Sequence, residues 1–111
     1  PATFTAILAE HIQRASGVEC AEGRDHERVT PNRIYLAPGE YHMVVDSDSR
    51  GPFIRINQDS PENYCCPAVD PMFRSIAKLY GIKALSVVLT GMGKDGKVGG
   101  LAIIDAGGTV I

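Results

Sequence analysis

The sequence lacks the features of a membrane-spanning or secreted protein. No apolar run approaches the roughly 18 residues that a transmembrane helix requires, and the opening segment mixes polar and apolar residues without the basic start of a secretory signal. Three cysteines, of which two are adjacent, form a poor disulfide framework and favour a reducing compartment. We therefore expect a cytoplasmic protein that does not insert into a membrane.

A strong excess of one charge is also missing. Thirteen acidic residues oppose eleven basic ones, for a formal net charge of −2, and no basic stripe stands out. Since nucleic-acid-binding proteins usually carry such a stripe, we expect no nucleic-acid partner. Histidines and cysteines at metal-ligand spacing are lacking too, so we expect no metal and no cofactor. The length of 111 residues fits one domain or part of one.

Apolar periodicity predicts helices alternating with strands. Helical spacing predicts helices over residues 3–16, from Val69 to Tyr80, and from Val98 to near Gly107. Short β-prone runs predict strands at 18–23 and 33–37, an antiparallel hairpin at 41–46 and 52–57, and further strands at 84–89 and from Thr109. The run at 84–89 is continuously apolar, as in strands buried on both faces of a parallel sheet. This order predicts an α/β fold.

Capping residues set the expected ends of the first two helices. Thr3 is placed to cap the first helix and Gly17 to end it in a left-handed turn, while Glu10 and Arg14 form an i,i+4 pair. Asp70 is placed to cap the second helix. Gly81 is placed to end it.

A glycine-rich segment follows the long apolar run. Gly91, Gly93 and Gly96 satisfy the G-x-G-x-x-G spacing of dinucleotide-binding loops. An ionised Asp95 inside the turn would repel a pyrophosphate, and no early βαβ unit places this motif at a first strand. Nucleotide binding is one hypothesis for the segment, and the residues around it argue against it.

Asp95 itself has two interpretations. A lone aspartate before a helix commonly caps that helix, here the third. A catalytic role would need a histidine within hydrogen-bonding reach and a nucleophile beyond it. The available histidines do not stand out: His11 lies near the apolar side of the first helix, His26 in a charged loop, and His42 at the start of a hairpin strand. On the residues alone, both interpretations remain open.

Four ordered segments of the chain carry a family resemblance. They are "FTAILAEHI" (4–12), "RVTPNRIYLAPGEYHM" (28–43), "PAVDPMFRSIAKLYG" (67–81) and "VVLTGMGKDGKVGG" (87–100). In sequence and spacing they resemble the chemotaxis protein-glutamate methylesterases, the CheB-type response-regulator enzymes. The similarity runs over essentially the whole chain.

The resemblance implies a fold, a reaction and a set of site residues. The fold is a three-layer α/β/α sandwich with a mostly parallel sheet and, here, an antiparallel hairpin. The reaction is hydrolysis of glutamate γ-methyl esters, and deamidation of glutamines, on chemotaxis receptors by a Ser-His-Asp arrangement. Asp95 matches the triad aspartate, and Met92 matches a site-lining residue whose backbone amide is a candidate oxyanion donor. Gly91 and Gly93 let the loop turn tightly.

The serine and histidine of the triad have no match in this sequence. The family's Ser-Thr-Gly-Gly turn is lacking, and its histidine precedes a Met-Pro pair that places Pro1 immediately past it. The serines and histidines present match other positions, and Cys66 stands where many relatives carry arginine. We therefore expect residues 1–111 to be the central and later part of a single methylesterase catalytic domain, truncated at both ends.

That expectation extends to activity and partners. We expect the 111-residue chain to be inactive alone, and its exposed apolar sheet edges to favour self-association. The implied partners are the cytoplasmic domain of a methylated chemotaxis receptor and an N-terminal receiver domain in the parent protein. The alternative is a non-catalytic module of the same fold that binds a receptor or another partner.

Overall fold

A computed structural model describes residues 1–89 and 93–111. The helices are α1 (Ala2–Ser16), α2 (Val69–Tyr80) and α3 (Lys97–Asp105), with a single 3₁₀ turn at Gly81–Lys83. The strands are β1 (Glu19–Glu22), β2 (Arg33–Leu36), β3 (His42–Asp48), β4 (Gly51–Asn57), β5 (Leu85–Ser86) and β6 (Thr109–Val110). Each predicted helix and strand therefore has a counterpart in the structure.

The strands pair as two parallel ladders and one antiparallel hairpin. β1 pairs with β2, and β5 with β6, in parallel, while β3 and β4 form the predicted hairpin with His42 opposite Asn57. The connection from β5 to β6 includes α3, and residues 23–32 join β1 to β2. Helices packed on parallel and antiparallel pairs confirm the predicted α/β class.

The carboxyl-terminal ends of α1 and α2 lie where the sequence predicts them. Gly17 has φ 73° in the left-handed region and its amide donates to the Gln13 carbonyl at 3.0 Å. Gly81 ends α2 as predicted. The exposed Glu10–Arg14 pair forms at 3.9 Å, a distance that contributes little to stability at the surface.

The two predicted amino-terminal caps are wrong. α1 begins at Ala2 with Pro1 at its N-cap position, so Thr3 lies inside the helix. Ala68 occupies the N-cap position of α2, and Asp70 is the second residue of that helix. The amides at the start of α2 donate to a carboxylate from elsewhere in the chain, and the Asp70 carboxylate instead accepts hydrogen bonds from another helix.

The apolar run at 84–89 is less buried than predicted. Only Leu85 and Ser86 form β5, and the side chains of Val87, Val88 and Leu89 are 52%, 47% and 85% exposed. Among the described residues, β5 has one neighbouring strand, β6. The apolar side chains of residues 87–89, which follow β5, are not covered by other described residues. The prediction of a strand buried on both faces is therefore wrong for the part of the chain that is described.

Two glycines lie on the face of α3 that packs inward. Gly99, Gly100 and Ile103 are buried, whereas Val98 and Leu101 are more than half exposed. The glycines allow α3 to lie directly against its neighbours. A Cβ atom on Gly99 would come within 2.7 Å of the Phe73 Cβ, so the helices meet through bare backbone.

The core lies where α2, α3 and the β5–β6 pair meet. Its buried members are Phe73, Ala77, Ala84 and Ile103, with partly buried apolar side chains around them. This packing fixes the amino-terminal ends of α2 and α3 next to each other. No helix within residues 1–89 and 93–111 is long and apolar enough to cross a membrane.

Candidate active site

Asp95 lies in the loop before α3, but its carboxylate caps α2. Its Oδ2 atom accepts a hydrogen bond from the Val69 amide at 2.7 Å, and its Oδ1 atom accepts one from the Asp70 amide at 3.1 Å. Unpaired amides at a helix start are the groups that a capping carboxylate satisfies. The interpretation of Asp95 as the cap of its own helix, α3, is therefore wrong: it caps a helix that begins 26 residues earlier.

Asp70 makes the reciprocal contact with α3. Its Oδ1 atom accepts hydrogen bonds from the amides of Gly96 at 2.9 Å and Gly99 at 2.8 Å, and the residue is 2% exposed. Burial acts to raise the pKa of Asp70, but the hydrogen bonds that its carboxylate accepts outweigh burial and hold the pKa below its ordinary value. A carboxylate in α2 therefore caps α3, and a carboxylate in the loop before α3 caps α2.

Asn63 joins the two carboxylates. Its Nδ2 group donates to Asp70 Oδ2 at 2.8 Å and to Asp95 Oδ1 at 3.2 Å. Asp95 Oδ1 thus accepts two hydrogen bonds from the described residues and Oδ2 accepts one. A carboxylate oxygen can accept about two, so Oδ2 has the capacity for a further donor.

Asn63 occupies a tight turn that sequence reasoning did not single out. Glu62 and Cys65 exchange backbone hydrogen bonds of 3.1 and 2.9 Å, and the central residues Asn63 and Tyr64 have φ of 54° and 63°. Two central residues in the left-handed region are typical of type I′ turns, where asparagine is favoured. An asparagine before Tyr-Cys-Cys-Pro could have indicated the turn, but not the carboxylates that it contacts.

An ion pair anchors this turn to α2. Arg74 donates to both carboxylate oxygens of Glu62 at 2.9 and 2.6 Å. The hydrogen bonds from Arg74 hold the pKa of Glu62 below its ordinary value. The turn is therefore attached to the helix whose first amides bind Asp95.

His42 is buried and structural. It is 1% exposed, and its Nδ1 atom accepts a hydrogen bond from the Ala68 amide at 3.2 Å while Nε2 lies 3.1 Å from the Ser60 carbonyl. Since Nδ1 is the acceptor, Nε2 carries the proton and donates to Ser60. Both ring nitrogens hold the segment before α2 against β3, so His42 is not placed to serve Asp95.

The other two histidines are exposed. His11 lies on α1, one turn after Ile7. His26 lies in the predicted solvated loop, with φ 65°, and its ring stacks on Phe53 at a centroid distance of 5.9 Å. Neither makes a described contact with Asp95.

Contacts link the start of α1 to the start of α2. A Cβ atom on Gly39 would lie 2.6 Å from the carbonyl carbon of Pro1, so the two backbones touch. The next carbonyl, that of Glu40, accepts a hydrogen bond from Cys66 Sγ at 3.4 Å. Cys66 precedes Pro67 through a cis peptide bond and lies two residues before the α2 N-cap. Cys66, at the position where the resemblance leads us to expect arginine, thus makes a local contact here.

The glycine loop is described only in part. Gly91 and Met92, predicted to line the site, lie outside the described residues. Gly93 has φ 87° and Gly96 has φ 99°, conformations that side chains with a Cβ rarely adopt. The amides of Gly96 and Gly99 bind the Asp70 carboxylate. A pyrophosphate at this helix end would have to displace that carboxylate, so the geometry argues against nucleotide binding.

Within residues 1–89 and 93–111, no three His, Cys, Asp or Glu side chains lie close enough together to hold a metal ion. The chemistry of the described cluster is that of an aspartate held in one orientation by backbone amides and an asparagine. Such a carboxylate can orient a partner that donates a hydrogen bond to its remaining acceptor site.

Comparisons with known proteins agree over the whole chain. The family model for CheB methylesterase matches residues 1–111. The protein-glutamate methylesterase/protein-glutamine glutaminase 1 of Rhodospirillum rubrum is 57% identical over 100% of this chain and 29% of its own length. The protein of the same name from Paramagnetospirillum magneticum is 55% identical with the same coverage.

A solved structure extends the comparison to the fold. The crystal structure of the Thermotoga maritima CheB methylesterase catalytic domain matches with a TM-score of 0.95 and 35% identity, over 99% of this chain and 58% of that chain. The chain spans less than a third of the curated relatives and somewhat more than half of the solved domain. The family model, the sequence identities and the shared fold agree, and this chain belongs to the CheB methylesterase family.

Proposed function

We propose that the intact protein hydrolyses glutamate γ-methyl esters, and deamidates glutamines, on chemotaxis receptors by a Ser-His-Asp mechanism. The names of the relatives that are 55% and 57% identical support this reaction. We further propose that residues 1–111 are the central and later part of one catalytic domain, because they cover 58% of the solved domain and 29% of the curated relatives.

The observation that carries the proposal is the fixed carboxylate of Asp95. Two backbone amides and one side-chain amide hold it, and its Oδ2 atom can accept one more hydrogen bond. In the proposed mechanism Oδ2 accepts the ring N–H of the triad histidine, which fixes the histidine tautomer. The carboxylate then stabilises the imidazolium that forms when the serine attacks the ester carbonyl.

We assign oxyanion stabilisation to the loop before Asp95. The Met92 backbone amide is the proposed donor to the oxyanion, and Gly91 and Gly93 give the loop its tight turn. The left-handed φ of Gly93 is consistent with such a turn. The proposed partners are the cytoplasmic domain of a methylated receptor and a receiver domain of the same protein, in the cytoplasm.

Asp95→Asn in the full-length protein tests the proposed role. The neutral amide leaves the shape unchanged but favours the wrong histidine tautomer, so we expect turnover to fall about a thousand- to ten-thousandfold. Methanol release from methylated receptor measures turnover, and circular dichroism measures folding. Asp105→Asn, at the exposed last residue of α3, is the matched control. Full turnover in Asp95→Asn would leave Asp95 as a helix cap without a catalytic role, whereas no methanol release from the full-length wild-type protein would favour the non-catalytic receptor-binding module.

The 111-residue chain on its own gives a second test. No residue in it matches the triad serine or histidine, and removing a serine nucleophile costs about a millionfold in other hydrolases. We expect no methanol release above background in the same assay. If the 111-residue chain hydrolyses the ester and a serine-directed reagent abolishes that activity, the proposal that the triad serine lies outside residues 1–111 is contradicted.

A further inference from the structure

We propose that Asn63 is a positioning residue for the triad aspartate, an inference that rests on the proposed function. Its side-chain amide bridges Asp95 Oδ1 at 3.2 Å and Asp70 Oδ2 at 2.8 Å. One NH₂ group thereby connects the catalytic carboxylate to the carboxylate that holds the start of α3.

The turn geometry aims Asn63 at the carboxylates. Neighbouring residues at the centre of the 62–65 turn point in opposite senses: Asn63 is half-buried and reaches both aspartates, whereas Tyr64 is fully exposed. The reciprocal Glu62–Cys65 backbone bonds close the turn. The bidentate contact with Arg74 then fixes it to α2.

Charge makes the bridge necessary. Asp70 and Asp95 cap adjacent helix ends, and like charges at short range repel. Asp70 cannot move away from Asp95, because two α3 amides donate hydrogen bonds to its Oδ1 atom. The Asn63 amide places two donors between the facing oxygens Asp70 Oδ2 and Asp95 Oδ1. Without it, the Asp95 carboxylate keeps its two α2 amides but gains freedom to rotate away from its neighbour.

The bridge also decides which oxygen of Asp95 faces the histidine. With Asn63 and the Asp70 amide on Oδ1, that oxygen has its two donors, and Oδ2 retains acceptor capacity beside the Val69 amide. Loss of Asn63 opens Oδ1 as a competing acceptor. The histidine then has two orientations in place of one, and the productive one is less populated.

Asn63→Gly in the full-length protein is the first experiment. Glycine accepts the left-handed backbone of the turn and removes the Asn63 side chain with its amide. We expect kcat to fall about 10- to 100-fold, as for loss of one hydrogen bond to a charged group, with KM for methylated receptor little changed. Tyr64→Gly is the matched control, since it makes the same backbone change at the next position and removes an exposed side chain; we expect its kcat within about twofold of wild type.

A double-mutant cycle separates positioning from support of the fold. If Asn63 acts through Asp95, Asn63→Gly added to Asp95→Asn causes little further loss of kcat. Losses that multiply would overturn the inference. So would wild-type kcat in Asn63→Gly while Asp95→Asn is inactive, a result that leaves the proposed function standing. Full activity of Asp95→Asn itself would instead refute Asp95 as the triad aspartate, and an inactive full-length wild-type protein would refute the proposed function.

Asn63→Asp keeps the inference testable if the glycine variant does not fold. Aspartate is nearly isosteric and tolerates the left-handed turn, but at neutral pH it replaces the donor with a third carboxylate. We expect kcat below that of Asn63→Gly. A kcat equal to wild type in a folded Asn63→Asp protein would overturn the positioning role.

Discussion

Asp95 caps α2, and its proposed catalytic role depends on the same contacts. Its hydrogen bonds with the α2 amides make it a helix cap, and those same bonds hold the carboxylate still. A charge that is already oriented needs no reorganisation during a reaction. Capping and the proposed catalysis therefore support each other at this residue, and Asp70 provides the opposing half of the arrangement at α3.

Asp70→Asn tests how much the contacts of Asp70 with α3 stabilise the fold. The asparagine can keep one acceptor for the α3 amides but turns a donor towards Asn63, so we expect the catalytic domain to lose about 1–3 kcal/mol of unfolding free energy. The folded-state pKa of Asp70 is lowered, so its ionic contribution is complete above the unfolded pKa of about 3.9 and disappears as pH falls through the lower folded value. Urea unfolding at pH 7 and pH 3 measures the difference, which should shrink at pH 3. Asp105→Asn should cost little at either pH, and a pH-independent loss in Asp70→Asn would contradict the ionic account.

The sequence could locate Asp95 but not its surroundings. The glycines and the family resemblance identify the loop that contains Asp95, because the residues that favour a turn lie within the turn itself. The contact from Asn63 crosses 32 positions and that from Val69 crosses 26, and no local pattern encodes such a separation. The Asp70 prediction failed because capping propensity identifies a suitable side chain but not which helix it serves, and the Thr3 prediction failed because α1 begins one residue earlier, at Ala2.

At the scale of elements, the two glycines of α3 have different tasks. Gly99 lies against α2, where a Cβ would meet the Phe73 Cβ at 2.7 Å and the Asp70 Cα at 3.0 Å. At Gly100 the nearest neighbour is a Val110 methyl at 3.9 Å, an ordinary contact. Hydrophobic periodicity predicted the helix but could not indicate that its contact with α2 is made by glycine, because periodicity counts only apolar side chains.

Alanine substitutions at these neighbours give a matched pair. Gly99→Ala should force the helices apart and destabilise the catalytic domain by about 1–3 kcal/mol. Because the start of α3 would move relative to Asp70, turnover should fall as well. Gly100→Ala should be neutral or stabilise by up to about 1 kcal/mol through helix propensity. Thermal unfolding of the two variants measures this, and equal melting temperatures would refute the close-contact account.

At the scale of the whole molecule, the described chain leaves apolar side chains in solvent. Val98, Leu101 and Ile104 follow one strip of α3 and are each more than half exposed. Continuous exposed apolar surface of this kind usually marks a buried interface. The solved relative is longer than this chain, which covers 58% of it. We propose that the remainder of the catalytic domain covers the α3 strip in the intact protein.

We expect substitutions in the α3 strip to have different effects in the isolated chain and in the full-length protein. We expect the isolated 111-residue chain to self-associate at micromolar concentrations in sedimentation velocity. Leu101→Gln with Ile104→Gln should weaken that association at least about tenfold, because two half-exposed side chains lose roughly 1 kcal/mol of burial each. In the full-length protein the same pair should instead lower the unfolding free energy by about 2 kcal/mol. Tyr64→Ser, at an exposed aromatic outside the strip, should change neither quantity. Unchanged association together with unchanged full-length stability would mean that the strip faces solvent in both forms.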